Sequence, residues 1–236
     1  MTHTLSRKIV AEFAGTGFLV AAVVGSGIMG ERLAGGNVAI ALLANTIATG
    51  AALLALILAF GPISGGHFNP AVTLVDAMEH GVSWTVAACY IAAQCAGGIC
   101  GAIAAHLMFG LPAISVSSHT RSGSAQAFSE FVATFGLVCV IWGCARKRSD
   151  RVAFAVAAYI TAAYWFTAST SFANPAVTIA RSLSDTFAGI RPVDVPPFVA
   201  AQLAGAIAAT FLFRWLVPKL DARAENILIP PERSAQ

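Results

Sequence analysis

The chain has 236 residues, 57% of them hydrophobic and 11% charged, with a mean hydropathy of +0.76 and a net charge of +3. Soluble domains carry about 25% charged residues, so there is too little charge here to cover a water-exposed surface. The bilayer is the solvent this composition fits, and so small a positive charge gives no reason to expect nucleic acid as a partner.

A spanning helix needs about 20 mostly apolar residues. Read in chain order, six stretches are candidates: Ile9–Ile28, Val38–Phe60, Trp84–Phe109, Phe128–Cys144, Val152–Phe166 and Pro197–Val217. Two shorter apolar stretches follow Pro70 and Pro175, each about half a span. Irregular backbone at membrane depth is tolerated only where it is buried in protein or lines a cavity, so two half-spans point to a pore. The expectation is an all-α membrane protein, with six transmembrane helices and two re-entrant half-helices. The first apolar run is long and lacks a small-residue processing site, so no cleavable signal peptide is expected. The tail Leu220–Gln236, with Pro230-Pro231, reads as a loose end.

Basic residues set the orientation. Arg7 and Lys8 precede the first span; Arg146, Lys147, Arg148 and Arg151 link the fourth and fifth; Arg214, Lys219, Arg223 and Arg233 lie at or beyond the end of the sixth. With six spans these regions fall on one side, which the positive-inside rule makes cytoplasmic, both termini included. The five cysteines lie in apolar segments without CxxC or zinc spacing, so they read as packing residues and no metal or other cofactor is expected.

The chain is written twice. Glu12-Phe13 is answered by Glu130-Phe131, Asn69-Pro70-Ala71-Val72-Thr73 by Asn174-Pro175-Ala176-Val177-Thr178, and Ala93-Gln94 by Ala201-Gln202, in the same order. Repeats of about 5–110 and 125–218 within one domain, 1–236, each hold three spans and a half-span. Three is odd, so the second copy enters the membrane inverted, and an inverted repeat places a shared site near the midplane. Asparagine is a preferred helix N-cap and proline a preferred first helical residue. Asn69-Pro70 and Asn174-Pro175 therefore each start a half-helix, with unpaired N–H groups and the positive dipole end directed inward. Two such ends facing one another oppose cations and protons. The two carboxamides are also placed to donate hydrogen bonds to a passing solute.

On the stretch Ser64-Gly65-Gly66-His67-Phe68-Asn69-Pro70-Ala71-Val72-Thr73 and its echo at Asn174-Pro175-Ala176, the chain resembles the major intrinsic proteins, the aquaporins and aquaglyceroporins, over nearly its whole length. The resemblance implies a homotetramer in the lipid bilayer, one pore per protomer, and passive flow of water or small neutral solutes. It also implies that Glu12 and Glu130 accept hydrogen bonds from the re-entrant loops, and that His67 helps hold its loop at the pore mouth. Carried over by offset from the two asparagines, the family's filter positions fall on Thr49, Ala162, Ser171 and Val177. Val177 stands where the family usually has arginine, and all four are small, which implies a wide, neutral filter. Arg181, one turn beyond Val177, has two readings: a displaced vestibule charge, or an i,i+4 partner of Asp185. The stretch from Asn174 to Arg181, with Ser184–Pro192, resembles a bacterial, rhizobial branch of aquaglyceroporins associated with arsenic-resistance gene clusters. That implies a bacterial inner-membrane protein whose solutes include arsenous acid and methylated arsenicals. An ion-coupled secondary transporter and a structural junction protein of the same fold are the rival readings. An enzyme is not expected, since no nucleophile–base set appears.

Overall fold

The computed structural model describes residues 3–145 and 151–217. The basic link at 146–148, and Lys219, Arg223, Arg233 and the tail Leu220–Gln236, lie outside the described residues. Among the described residues eight α-helices follow one another: α1 Leu5–Leu33, α2 Val38–Ser64, α3 Pro70–Met78, α4 Trp84–Met108, α5 Ser124–Ala145, α6 Val152–Phe166, α7 Pro175–Arg181 and α8 Val195–Leu216. No strand occurs among the described residues.

Five of these helices, α1, α2, α4, α5 and α8, are long and apolar enough to span a bilayer. The described part of α6 is shorter, at 15 residues, or about 22 Å. The half-helices α3 and α7 have nine and seven residues, about 13 and 10 Å. Neither can cross a hydrocarbon core of about 30 Å alone. The expected spans are present, several with longer N-terminal ends: α1 begins at Leu5 rather than Ile9, and α5 at Ser124 rather than Phe128, while α4 and α8 stop one residue early, at Met108 and Leu216. Polar and charged residues at these ends extend the helices beyond their hydrophobic cores.

Packing repeats between the halves. Helix α1 packs on α4 and α2, and α5 packs on α8 and α6, while α2 against α6 joins the halves. Small residues allow the close crossings, as in membrane bundles generally. A Cβ added to Gly97 or Gly101 on α4 would overlap the carbonyls of Phe13 or Gly17 on α1, and one added to Gly205 on α8 would overlap that of Phe131 on α5. Large apolar side chains such as Phe18, Ile47, Phe154 and Trp215 are exposed on the outside, as a lipid-facing surface requires.

Candidate functional site

The two half-helices start face to face. Asn69 caps α3 by accepting from the Ala71 N–H at 2.9 Å; Asn174 caps α7 by accepting from those of Ala176 and Val177 at 3.0 and 3.3 Å. Each asparagine also reaches across. Asn69 Nδ2 donates to the carbonyl of Ala173, and Asn174 Nδ2 to that of Phe68, both at 2.7 Å. A carboxamide has two N–H donors, so each asparagine ties the opposite loop and has a second N–H besides. Both line the central cavity.

The loops feeding these caps are strained. Phe68 and Ala173, each just before an asparagine, have φ of 49°, and Thr170 and Ser171 have φ of 61° and 50°. Non-glycine residues in this region cost on the order of 1–3 kcal/mol each and persist where surroundings over-determine them. The buried acids do so. The Glu12 carboxylate accepts from the N–H groups of His67 and Phe68, at 3.0 and 2.7 Å, and from Ser64 Oγ. The Glu130 carboxylate accepts from those of Phe172 and Ala173, both at 2.8 Å. Behind each acid a glutamine completes the bracket: Gln94 Nε2 donates to Glu12 and Thr73, and Gln202 Nε2 to Glu130 and Thr178. The sequence repeat singles out Gln94, Gln202, Thr73 and Thr178 but not this role.

His67 lines the cavity on the α3 side. Its Nδ1 lies 3.1 Å from Thr73 Oγ1, and its Nε2 3.5 Å from a carboxylate oxygen of Asp76. Asp76 is a third fully buried acid, which the sequence reading passed over because it sits inside the apolar run of α3.

The cavity has about 50 Å³ open to the centre of a water-sized sphere. One water needs roughly 10–15 Å³ of such space, so the cavity admits water-sized molecules. Its wall comes from α1, α2, α5, α6 and the two half-helices with their loops, with α4 and α8 standing behind. Thr49, Ser171 and Val177 line it. Ala162 does not. It is exposed, in line with Phe154, Ala158 and Trp165 on the outward face of α6. Counting back from Asn174 assumed a fixed loop length, whereas α6 ends at Phe166 and Thr167–Ala173 is irregular. The residues that α6 turns inward are Val156, Ile160 and Tyr164, and the Tyr164 hydroxyl donates to Thr49 Oγ1 at 3.2 Å.

Arg181 is buried and lines the cavity. Its Nε donates to the Ala188 carbonyl, and its Cζ lies 3.3 Å from the centroid of the Phe172 ring, a cation–π contact. Its partnership with Asp185 is not found. Helix α7 ends at Arg181, so Asp185 is no longer one helical turn away. Asp185 instead accepts from the Ser118 N–H at 2.8 Å and from Ser118 Oγ at 2.9 Å, which hold its carboxyl below the usual range. Two residues the sequence reading missed adjoin this end: Phe172 on the cavity wall, and Arg121 packed behind it.

A multi-pass bundle whose half-helices meet cap to cap around a narrow cavity defines a membrane channel. The chain belongs to the major intrinsic protein family: the family profile, described as Major intrinsic protein, matches residues 1–151 and 145–234. Over 213 residues it is 56% identical to the aquaglyceroporin AqpS of Rhizobium meliloti strain 1021, covering 90% of this chain and 91% of that protein. It is also 31% identical to the rice aquaporin NIP1-4 over 90% of this chain and 78% of that one. The X-ray structure of the aquaglyceroporin from Plasmodium falciparum superposes with a TM-score of 0.71 at 19% identity, covering 92% of this chain and 99% of that one; the likeness shows the fold. The family is one of passive channels, not enzymes.

Proposed function

We propose that this chain is a passive channel for water and small neutral polyol-like solutes, glycerol and undissociated arsenous acid among them. The observation that carries the reading is Val177 on the cavity wall beside Thr49 and Ser171, at the position where the family usually places arginine. Val177 leaves more room than an arginine there would, and the hydroxyls of Thr49, Ser171 and Tyr164 on the same wall replace part of a three-carbon polyol's hydration. Arsenous acid is a neutral triol of similar size, and methylated arsenicals that are uncharged fit the same description. The similarity to AqpS, an aquaglyceroporin by name, supports the polyol assignment.

A coupled transporter would need an ion-binding acid at the midplane. Glu12 and Glu130 are instead engaged by loop amides and glutamines, which favours a scaffold role. The chain acts as one channel domain of two inverted repeats. It assembles as a homotetramer in a bacterial inner membrane with both termini cytoplasmic, as the distribution of basic residues favours. Stopped-flow light scattering on proteoliposomes tests the reading. Water, glycerol and arsenous acid should all equilibrate faster than in empty vesicles, without saturation or dependence on a proton gradient. Water flux alone would overturn the wide filter, and gradient-dependent uptake would overturn the channel.

A further inference from the structure

We propose that Arg121 is a specificity-determining residue of the pore: from behind Phe172 it supplies the unbalanced positive charge that repels cations at the outer filter. This rests on the channel reading above, with Arg181 at the cavity wall.

The observations centre on the Phe172 ring, which lines the cavity. Two guanidinium groups lie against it, Arg181 Cζ at 3.3 Å and Arg121 Cζ at 5.1 Å from its centroid. Arg121 comes from the connection between α4 and α5, and its side chain is fixed. Nε donates to the Gly189 carbonyl at 2.7 Å, and Nη1 and Nη2 donate to those of Ser169 and Phe187, both at 3.4 Å. All three acceptors are neutral, so they orient the charge without cancelling it. The Asp194 carboxylate accepts from the main-chain N–H of Arg121, but its oxygens are paired with the Arg191 guanidinium at 3.1 and 3.2 Å.

The Glu130 carboxylate holds the N–H groups of Ala173 and of Phe172, the same residue whose ring carries both guanidiniums. Around this ring there are then two guanidiniums and one carboxylate. Arg181 and Glu130 alone would balance, leaving this end of the pore with no sign. Arg121 makes it net positive. Arg121 is half-buried and is not among the residues lining the cavity, so it acts on the pore through its field, across an aromatic ring and with less screening than in open water. Ions should sense it, and neutral solutes should not.

The test uses full-length protein in proteoliposomes, with potassium leak and glycerol flux measured on the same vesicles. Arg121→Gln should raise potassium leak about tenfold or more at low ionic strength and leave glycerol flux within about twofold. The excess should shrink as salt is raised, a dependence that a purely structural defect would lack. Arg121→Lys keeps the charge but not the three-carbonyl fork, and should stay tight. Arg121→His compares both charge states in one fold, independently of whether the Gln variant assembles. Burial and the neighbouring Arg181 hold such an imidazole below its usual range, so the variant should be tighter at about pH 4 than at about pH 8. A tight Gln variant, a Lys variant as leaky as Gln, or a His variant whose leak ignores pH would each overturn the proposal. Failure of the underlying channel reading is separate and visible beforehand, since the unmodified protein would then pass no glycerol.

Discussion

Asn69 and Asn174 each carry a cap, a cross-tie and a second N–H on one side chain. Removing the carboxamide therefore has compound consequences. Asn174→Ala deletes a cap worth about 1 kcal/mol and leaves the buried Phe68 carbonyl without its partner, a further penalty of about 1–3 kcal/mol. Solute flux should fall several-fold and the protein should melt at lower temperature in detergent; Asn69→Ala should match it, because the tie is reciprocal. Unchanged flux and melting in both would remove the caps from the pore's working parts. The filter makes a sharper residue-scale prediction. Val177→Arg places a long cation beside Thr49 and Ser171, so glycerol and arsenous acid flux should drop at least about tenfold while water flux falls less. Equal loss of all three at equal abundance would point to blockage rather than sieving. The asparagines and Val177 were legible in the sequence because each lies within a few residues of a motif whose geometry is local. Ala162 was misplaced, and Tyr164 missed, because twelve residues of intervening chain include an irregular stretch whose length no periodicity reports. Phe68 and Ala173 gave no sign of positive φ, since neither is a glycine and the restraint on them comes from acids more than forty residues away.

Between elements, the fold depends on close helix crossings and on two polar brackets. The crossings are testable with a pair of glycines. A Cβ at Gly205 would overlap the Phe131 carbonyl on α5, whereas one at Gly143 would meet the Phe213 ring at an ordinary 3.7 Å. Gly205→Ala should therefore push α8 off α5 at about 1–3 kcal/mol and lower thermal stability. Gly143→Ala should be neutral or stabilise by up to about 1 kcal/mol through helix propensity. Comparing melting by size-exclusion after heating decides it; equal behaviour would mean the crossing relaxes freely. The brackets follow from the same economy of partners. A buried carboxylate with its loop amides removed is expensive, so Gln94 and Gln202 recur at matching places on α4 and α8 to complete each set. The order of elements was readable because apolar length and Asn-Pro are sequence-local signals. The bracket partners were readable only as a repeat, since pairing across 72 or 82 residues is a property of the folded bundle.

At the scale of the whole molecule, a channel for neutral solutes must also hold an ion gradient, and in this chain that duty cannot fall on an arginine at position 177. The opposed half-helix ends supply one barrier near the middle of the pore. Arg181, at the far end of α7, is placed for a second. It lines the cavity, stacks on Phe172 and is held by the Ala188 carbonyl, so its charge faces the permeation path rather than a carboxylate partner. Asp185 is occupied by Ser118 at the surface. The two residues, four apart in sequence, therefore have separable consequences. Arg181→Ala should leave Arg121 offset by Glu130 at this end of the pore, so that the half-helix ends alone oppose cations, and potassium or proton leak should rise about tenfold or more. Asp185→Ala should release one loop contact worth no more than about 1 kcal/mol at an exposed site and leave the membrane tight. Arginine stays protonated throughout the neutral range, so tightness in the unmodified channel should not vary between about pH 6 and pH 8. The measurement is potassium conductance and decay of a pH gradient in vesicles carrying each variant at equal density. A leak in Arg181→Ala alone places the filter charge one helical turn along α7 from its usual position. A leak in both would return the effect to loop packing, and tight vesicles with both would leave the half-helix ends as the sole barrier.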